Sequence, residues 1–133
     1  MSRVKTEVNF SDIVGKCIRR VYAKTQDNPI EYLVFECTDG TEYHMYHEQD
    51  CCEYVYLNDI TEGYQDILTN ATVLDAYASS NREDDPDTYG THTWTFYRLA
   101  TDKGVVVLRW YGSSNGYYSE DVSFYIRPTP SEE

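Results

Sequence analysis

Hydrophobic and polar positions alternate with a period of two over most of the chain, so extended strands are the predicted element. The first such run is residues 17–24, and the second is 30–37. In the second run Leu33, Phe35 and Cys37 share one face, with Tyr32, Val34 and Glu36 on the other. Asn28-Pro29 predicts a turn between these two runs, because proline fixes φ and removes a donor. Asp39-Gly40 is the strongest short hairpin signal and predicts a return through residues 41–46. Two further runs, 91–101 and 105–111, flank Asp102-Lys103-Gly104 and predict a second hairpin.

The middle of the chain is less regular. Asp50 and Glu53 stand at capping-box spacing, yet Tyr54-Val55-Tyr56-Leu57 has strand composition, so residues 53–58 are read as strand. Ile60, Tyr64, Ile67 and Leu68 follow at the spacing of one helical face, which predicts a single short helix over 59–68. Residues 71–78 return to an extended pattern. Residues 79–90 are polar, acidic and proline-bearing and predict an exposed loop, and Gly112 to Gly116 predicts a turn before a last strand over 117–127. Residues 1–12 are read as a polar lead-in with a turn or helical start at 11–15, and 128–133 as a flexible tail. The expected fold is α+β in one domain spanning 1–133: mainly antiparallel β-sheet built from hairpins, with one short helix.

Composition narrows the function. The 133 residues include 14 Tyr and carry a net charge of −12. Tyrosine combines contact area with a polar tip, which suits amphipathic sheet faces. A field from 23 acidic against 11 basic residues repels phosphate backbones, so bulk nucleic-acid binding is not expected, whereas a basic protein partner is. No apolar run approaches the roughly 20 residues that span a bilayer, and residues 1–12 lack the apolar core of a signal peptide, so a cytosolic location without membrane association is expected. In a reducing compartment Cys17, Cys37, Cys51 and Cys52 are expected as free thiols.

Three segments carry candidate chemistry. His44, His47, Cys51 and Cys52, with His92, are of the types zinc accepts, but adjacent cysteines and the absence of any Cys-x-x-Cys pair argue against a metal site. Cys51 or Cys52 beside His44 or His47 would suit a thiolate–imidazolium nucleophile. The hydrolase, phosphate-loop and metalloprotease motifs are missing, so catalytic residues are expected to be none, and no cofactor is implied. The third segment is Arg109-Trp110-Tyr111-Gly112-Ser113-Ser114-Asn115-Gly116-Tyr117-Tyr118. Here Trp110, Tyr111, Tyr117 and Tyr118 can stack a planar ring, Arg109 can pair with phosphate, and Ser113, Asn115 and turn N–H groups can add polar contacts. Equally, Trp110 can be core and the glycine-serine stretch a plain turn.

Three strings, His47-Glu48-Gln49-Asp50-Cys51-Cys52-Glu53, Thr93-Trp94-Thr95-Phe96-Tyr97-Arg98-Leu99-Ala100 and Arg109-Trp110-Tyr111-Gly112-Ser113-Ser114-Asn115-Gly116-Tyr117-Tyr118-Ser119-Glu120, resemble a family of small proteins of tailed bacteriophages and prophages. The resemblance extends over about residues 15–124 and implies the cytoplasm of a bacterial host, without supplying catalytic residues. It implies an accessory, counter-defence binding role. The candidate ligands are a nucleotide-derived immune signal, sequestered at the third segment, or a basic host restriction, CRISPR or repair protein blocked by an acidic mimic. An enzyme using Cys51 or Cys52 is the remaining alternative. Exposed strand edges in a small sheet predict a homodimer or higher homo-oligomer.

Overall fold

The computed structural model describes residues 5–24, 29–84, 90–116 and 118–127. It is mainly antiparallel β-sheet. The strands are β1 (Thr6–Glu7), β2 (Cys17–Ala23), β3 (Tyr32–Cys37), β4 (Glu42–Tyr46), β5 (Tyr54–Ile60), β6 (Ala71–Asp84), β7 (Thr91–Thr101), β8 (Gly104–Ser114) and β9 (Ser123–Arg127), with one helical turn, α1 (Tyr64–Ile67), and a 3-10 turn at Phe10–Ile13. Neighbours run β1-β9-β4-β3-β2-β6-β7-β8-β5. The expected hairpins β2–β3, β3–β4 and β7–β8 are antiparallel pairs, and β6–β7 is a fourth. At Asp39-Gly40 the turn closes because Gly40 adopts a φ of 90° and the Asp39 carboxylate accepts the Thr41 N–H at 2.9 Å.

β2 touches β6 through only two residue pairs, Cys17 with Thr72 and Ile18 with Ala71. The sheet therefore folds at this seam into two layers, β1-β9-β4-β3-β2 and β6-β7-β8-β5, whose apolar faces meet in one core. Leu33, Phe35, Tyr43 and Met45 face Leu99, Leu108 and Trp110 across it. The Trp110 indole N–H donates to the Met45 sulfur at 3.2 Å. Phe10 and Ile13, both buried, insert from the 3-10 turn, Phe10 meeting Tyr97 and Phe124 edge-on at 4.9 and 5.1 Å. The expected polar lead-in thus already belongs to the fold from Thr6 onward.

Four further expectations need correction. The helix is confined to Tyr64–Ile67, because Asp59 and Ile60 belong to β5. Residues 79–84 are strand, paired residue by residue with β7 from Ser79–Phe96 to Asp84–Thr91, so the expected loop starts no earlier than 85. Gly112, Ser113 and Ser114 continue β8 opposite Thr93, His92 and Thr91, so they make no turn. The last strand shrinks to Ser123–Arg127, because the preceding segment is held by side chains described below. Residues 25–28, 85–89, Tyr117 and 128–133, on which the first turn, the acidic loop tip, one ligand residue and the tail were expected, lie outside the described residues. Among the described residues no helix is long and apolar enough to cross a membrane.

Candidate functional site

Among the described residues the outer face of the β6-β7-β8-β5 layer is the most open aromatic surface. Cross-strand partners in an antiparallel sheet point to the same side, so register builds this face row by row. One row is Asn81, Trp94, Tyr111 and Tyr56; the next is Ser79, Phe96 and Arg109, beside Asp59; a third is Tyr77, Arg98 and Val107. The rings touch along the first row, Trp94 to Tyr111 at 4.6 Å and Tyr111 to Tyr56 at 5.6 Å, and along β5, Tyr56 to Tyr54 at 5.0 Å. Arg109 lies over the Trp94 ring at 5.2 Å and Arg98 over Tyr77 at 5.7 Å. Of the seven exposed large hydrophobic side chains among the described residues, Tyr54, Tyr77, Phe96, Val105 and Val107 all stand on this one face. Such concentration on one face departs from the ordinary condition, in which exposed apolar side chains are scattered.

The other layer differs. Its outer tyrosines are engaged within the chain: the Lys5 ammonium donates to the Tyr32 and Tyr46 hydroxyls, and the Tyr125 hydroxyl donates to Glu48 at 2.6 Å.

The third sequence segment divides between two sides of β8. Arg109, Tyr111 and Ser113 fall on the open face, whereas Trp110, 1% exposed, is sealed in the core. The Arg109 guanidinium donates to the Asn58 side-chain Oδ1, with its Nε at 2.9 Å, and stands 4.0 Å from Asp59. Asn115 is exposed beyond the end of β8, and Tyr118 borders a separate cleft. Among the described residues Trp110 and Tyr111 therefore do not converge on one ligand, because alternation sends them to opposite sides.

The segment after β8 is clipped to the sheet by Glu120. This buried carboxylate accepts hydroxyl protons from Thr93 at 2.7 Å and from Thr91 and Ser114. Burial pushes its pKa up, but the Ser114, Thr91 and Thr93 bonds, with help from Arg82, bring it below the ordinary carboxylate value. Gly112 permits this approach: a Cβ there would come within 2.9 Å of the Glu120 Cβ and carbonyl oxygen. Two adjoining clefts of about 420 and 370 Å³ lie alongside and share Ser80, Ser119 and Asp121. Glu7, Glu48, Glu120 and Asp121 line them, a charge that disfavours phosphate.

A second carboxylate organises the loop from His47 to Glu53. Glu53 accepts the backbone N–H groups of Asp50 at 3.0 Å and Cys51 at 2.8 Å, and His47 Nε2 at 2.9 Å. The capping-box spacing is thus half realised, with the carboxylate reaching back to Asp50 and no helix following. Although burial opposes it, these bonds hold Glu53 well below the ordinary range, at about 2. His47 Nδ1 meets the Asp121 carbonyl at 2.6 Å, so both ring nitrogens face acceptors. His44 differs: burial lowers its pKa despite Glu42, and its Nδ1 lies 2.7 Å from the Tyr32 hydroxyl.

Cys17 and Cys37 are free thiols as expected, but Cys51 and Cys52 are joined in a disulfide. In that state neither sulfur is a thiolate, so the Cys–His nucleophile is not formed. Among the described residues no group of His, Cys, Asp or Glu is arranged to hold a metal ion.

Trp94, Phe96, Tyr56, Tyr54 and Tyr77 were not singled out by sequence reasoning. The alternation of Trp94 and Phe96 against Thr93, Thr95 and Tyr97 is visible in the sequence, but it does not say which set faces inward. The threonines do, with Tyr97 in the core and Thr93 bonded to Glu120.

No curated protein and no solved structure matches the chain. A family model does, over residues 11–124, which takes in every strand from β2 to β8 and the Glu120 clip. The chain belongs to the family described as Domain of unknown function (DUF7448).

Proposed function

We propose that this protein is a non-enzymatic binding protein, an accessory factor of the phage kind its sequence resembles, which covers a basic surface of a host protein with the outer face of β5-β8-β7-β6. The carrying observation is the concentration of exposed aromatic and aliphatic side chains on that face, with Arg98 and Arg109 among them. Tyrosine, tryptophan and arginine are the residues that dominate protein–protein hot spots. The net charge of −12 supplies long-range attraction to a basic partner, and the carboxylates Asp59, Asp75 and Glu83 border the face. Sequestration of a nucleotide-derived signal has less support, since Trp110 is enclosed and the clefts are lined by carboxylates.

The test is affinity capture from host lysate with wild type and with the Trp94→Ala/Tyr111→Ala double variant. Wild type is expected to retain a basic nucleic-acid-handling protein, to release it as salt is raised, and to lose it to competing nucleic acid. The double variant should bind that protein about 30-fold more weakly or worse. Equal retention by both proteins would remove the face from the mechanism, and indifference to salt and to nucleic acid would remove the basic channel.

A further inference from the structure

Residues Tyr77–Asp84 of β6 are exposed on both faces. Among the described residues they pair only with β7, since β2 reaches β6 no further than Thr72. The other side of this stretch is therefore a free sheet edge, where every second residue aims its N–H and C=O away from β7. Natural edges are blunted by lysine, proline, bulges or inward charges. None of these lies between Ala76 and Asn81, whose sequence is Ala-Tyr-Ala-Ser-Ser-Asn; the one irregularity of β6 lies earlier, between Val73 and Asp75.

We propose that this edge pairs antiparallel with the same edge of a second copy, joining two four-stranded layers into one eight-stranded sheet across a two-fold axis. The occupant follows from charge and shape. Two molecules of net charge −12 repel, and this strip offers six consecutive uncharged residues along which they can approach. A foreign strand is selected by apolar pockets beside an edge, whereas the two clefts that share Ser80 are lined mainly by polar and acidic residues, among them Glu7, Glu48, Glu120 and Asp121. Self-pairing needs none.

A two-fold axis perpendicular to the sheet keeps outer residues opposite outer residues. Centred on Ser79, it sets Ala78 against Ser80, Tyr77 against Asn81 and Ala76 against Arg82, so no like charges oppose within these seven residues, and Asp75 meets Glu83 only at the next pair, where the pairing ends. The aromatic faces of the two copies then become continuous, although the pairing does not depend on the partner proposed above.

Sedimentation equilibrium of the full chain tests this. Wild type is expected at twice its 15.5 kDa mass. Ser79→Lys sets two ammonium groups face to face at the axis and Ser79→Asp two carboxylates, so each alone should weaken self-association by about fivefold or more. An equimolar mixture of the two variants should restore the dimer, which a folding defect would not do. Wild type sedimenting at 15.5 kDa throughout, or a dimer indifferent to both variants, overturns the proposal. So does a dimer that dissociates only in Trp94→Ala/Tyr111→Ala, and because that variant leaves the edge intact, failure here and failure of the partner reading are separable.

Discussion

Replacing Thr93 by valine isolates one bond of the Glu120 clip. The substitution keeps the branched shape and removes only the hydroxyl that donates to Glu120 Oε1 at 2.7 Å, in a place where donor and acceptor are 6% and 5% exposed. A hydrogen bond to a charged group contributes about 1.5–3 kcal/mol. Thr91 and Ser114 still hold the other oxygen, so the carboxylate stays paired and the loss should sit near ~2 kcal/mol. Unfolding 133 residues releases about 0.28 kcal/mol/K, which turns that loss into a fall in Tm of about 7 °C.

The pH dependence gives the sharper check. Glu120 is held below its unfolded pKa, so its contribution is complete above the unfolded value and disappears as pH falls through the folded one. The deficit of Thr93→Val should accordingly be full near neutrality and shrink in acid, read by thermal unfolding followed by circular dichroism. A deficit below about 0.5 kcal/mol, the range of ordinary surface substitutions, or one that does not change with pH, would refute the assignment of the clip.

The Glu53 carboxylate should contribute stability that is present above 4.5 and lost as pH drops from there towards about 2; acid titration of Glu53→Gln should lack that limb, and a wild-type profile in the variant would contradict it. Chemically denatured, unreduced protein should titrate two thiols, Cys17 and Cys37, rising to four after reduction; four at the outset would dispose of the Cys51–Cys52 bond. Within the folded protein Cys37, whose thiol is pushed by burial up to about 12, should resist alkylation, and modification at a rate typical of a free thiol would count against its enclosure. Trp110→Ala should cost about 3–5 kcal/mol, enough to threaten folding, and a mild loss in urea titration would mean that the indole is not at the centre of the core.

Strands were legible wherever two residues define the period, as in Leu33-x-Phe35-x-Cys37, and the Asp39-Gly40 and Asp102-Lys103 turns fixed two hairpins. Three bulges were not. At each, core-facing positions stand three apart: Ile18 and Val21, Leu57 and the half-buried Ile60, Val73 and Ala76. That spacing imitates a helical face, which is why Ile60 was read as the start of a helix when it closes β5. Residues 79–84 read as a loop for a different reason: a strand exposed on both sides has no hydrophobic alternation to detect. At the candidate face, alternation alone placed Arg109, Tyr111 and Ser113 together. Trp94 joins them through the register of the β7–β8 hairpin, whereas Tyr56 was beyond reach, because β5 is distant in sequence from β8 and no local pattern encodes that pairing.

The strand order also has a consequence for how the nascent chain matures. The β2–β3–β4 and β6–β7–β8 meanders can close soon after leaving the ribosome, but β1 and the far side of β4 have the same neighbour, β9, and that is made late. Until Phe124 comes opposite Met45, an early strand waits unpaired and a central one is bare along its length. Synthesis arrested before β9 should therefore yield a sticky intermediate with one layer finished and the other open.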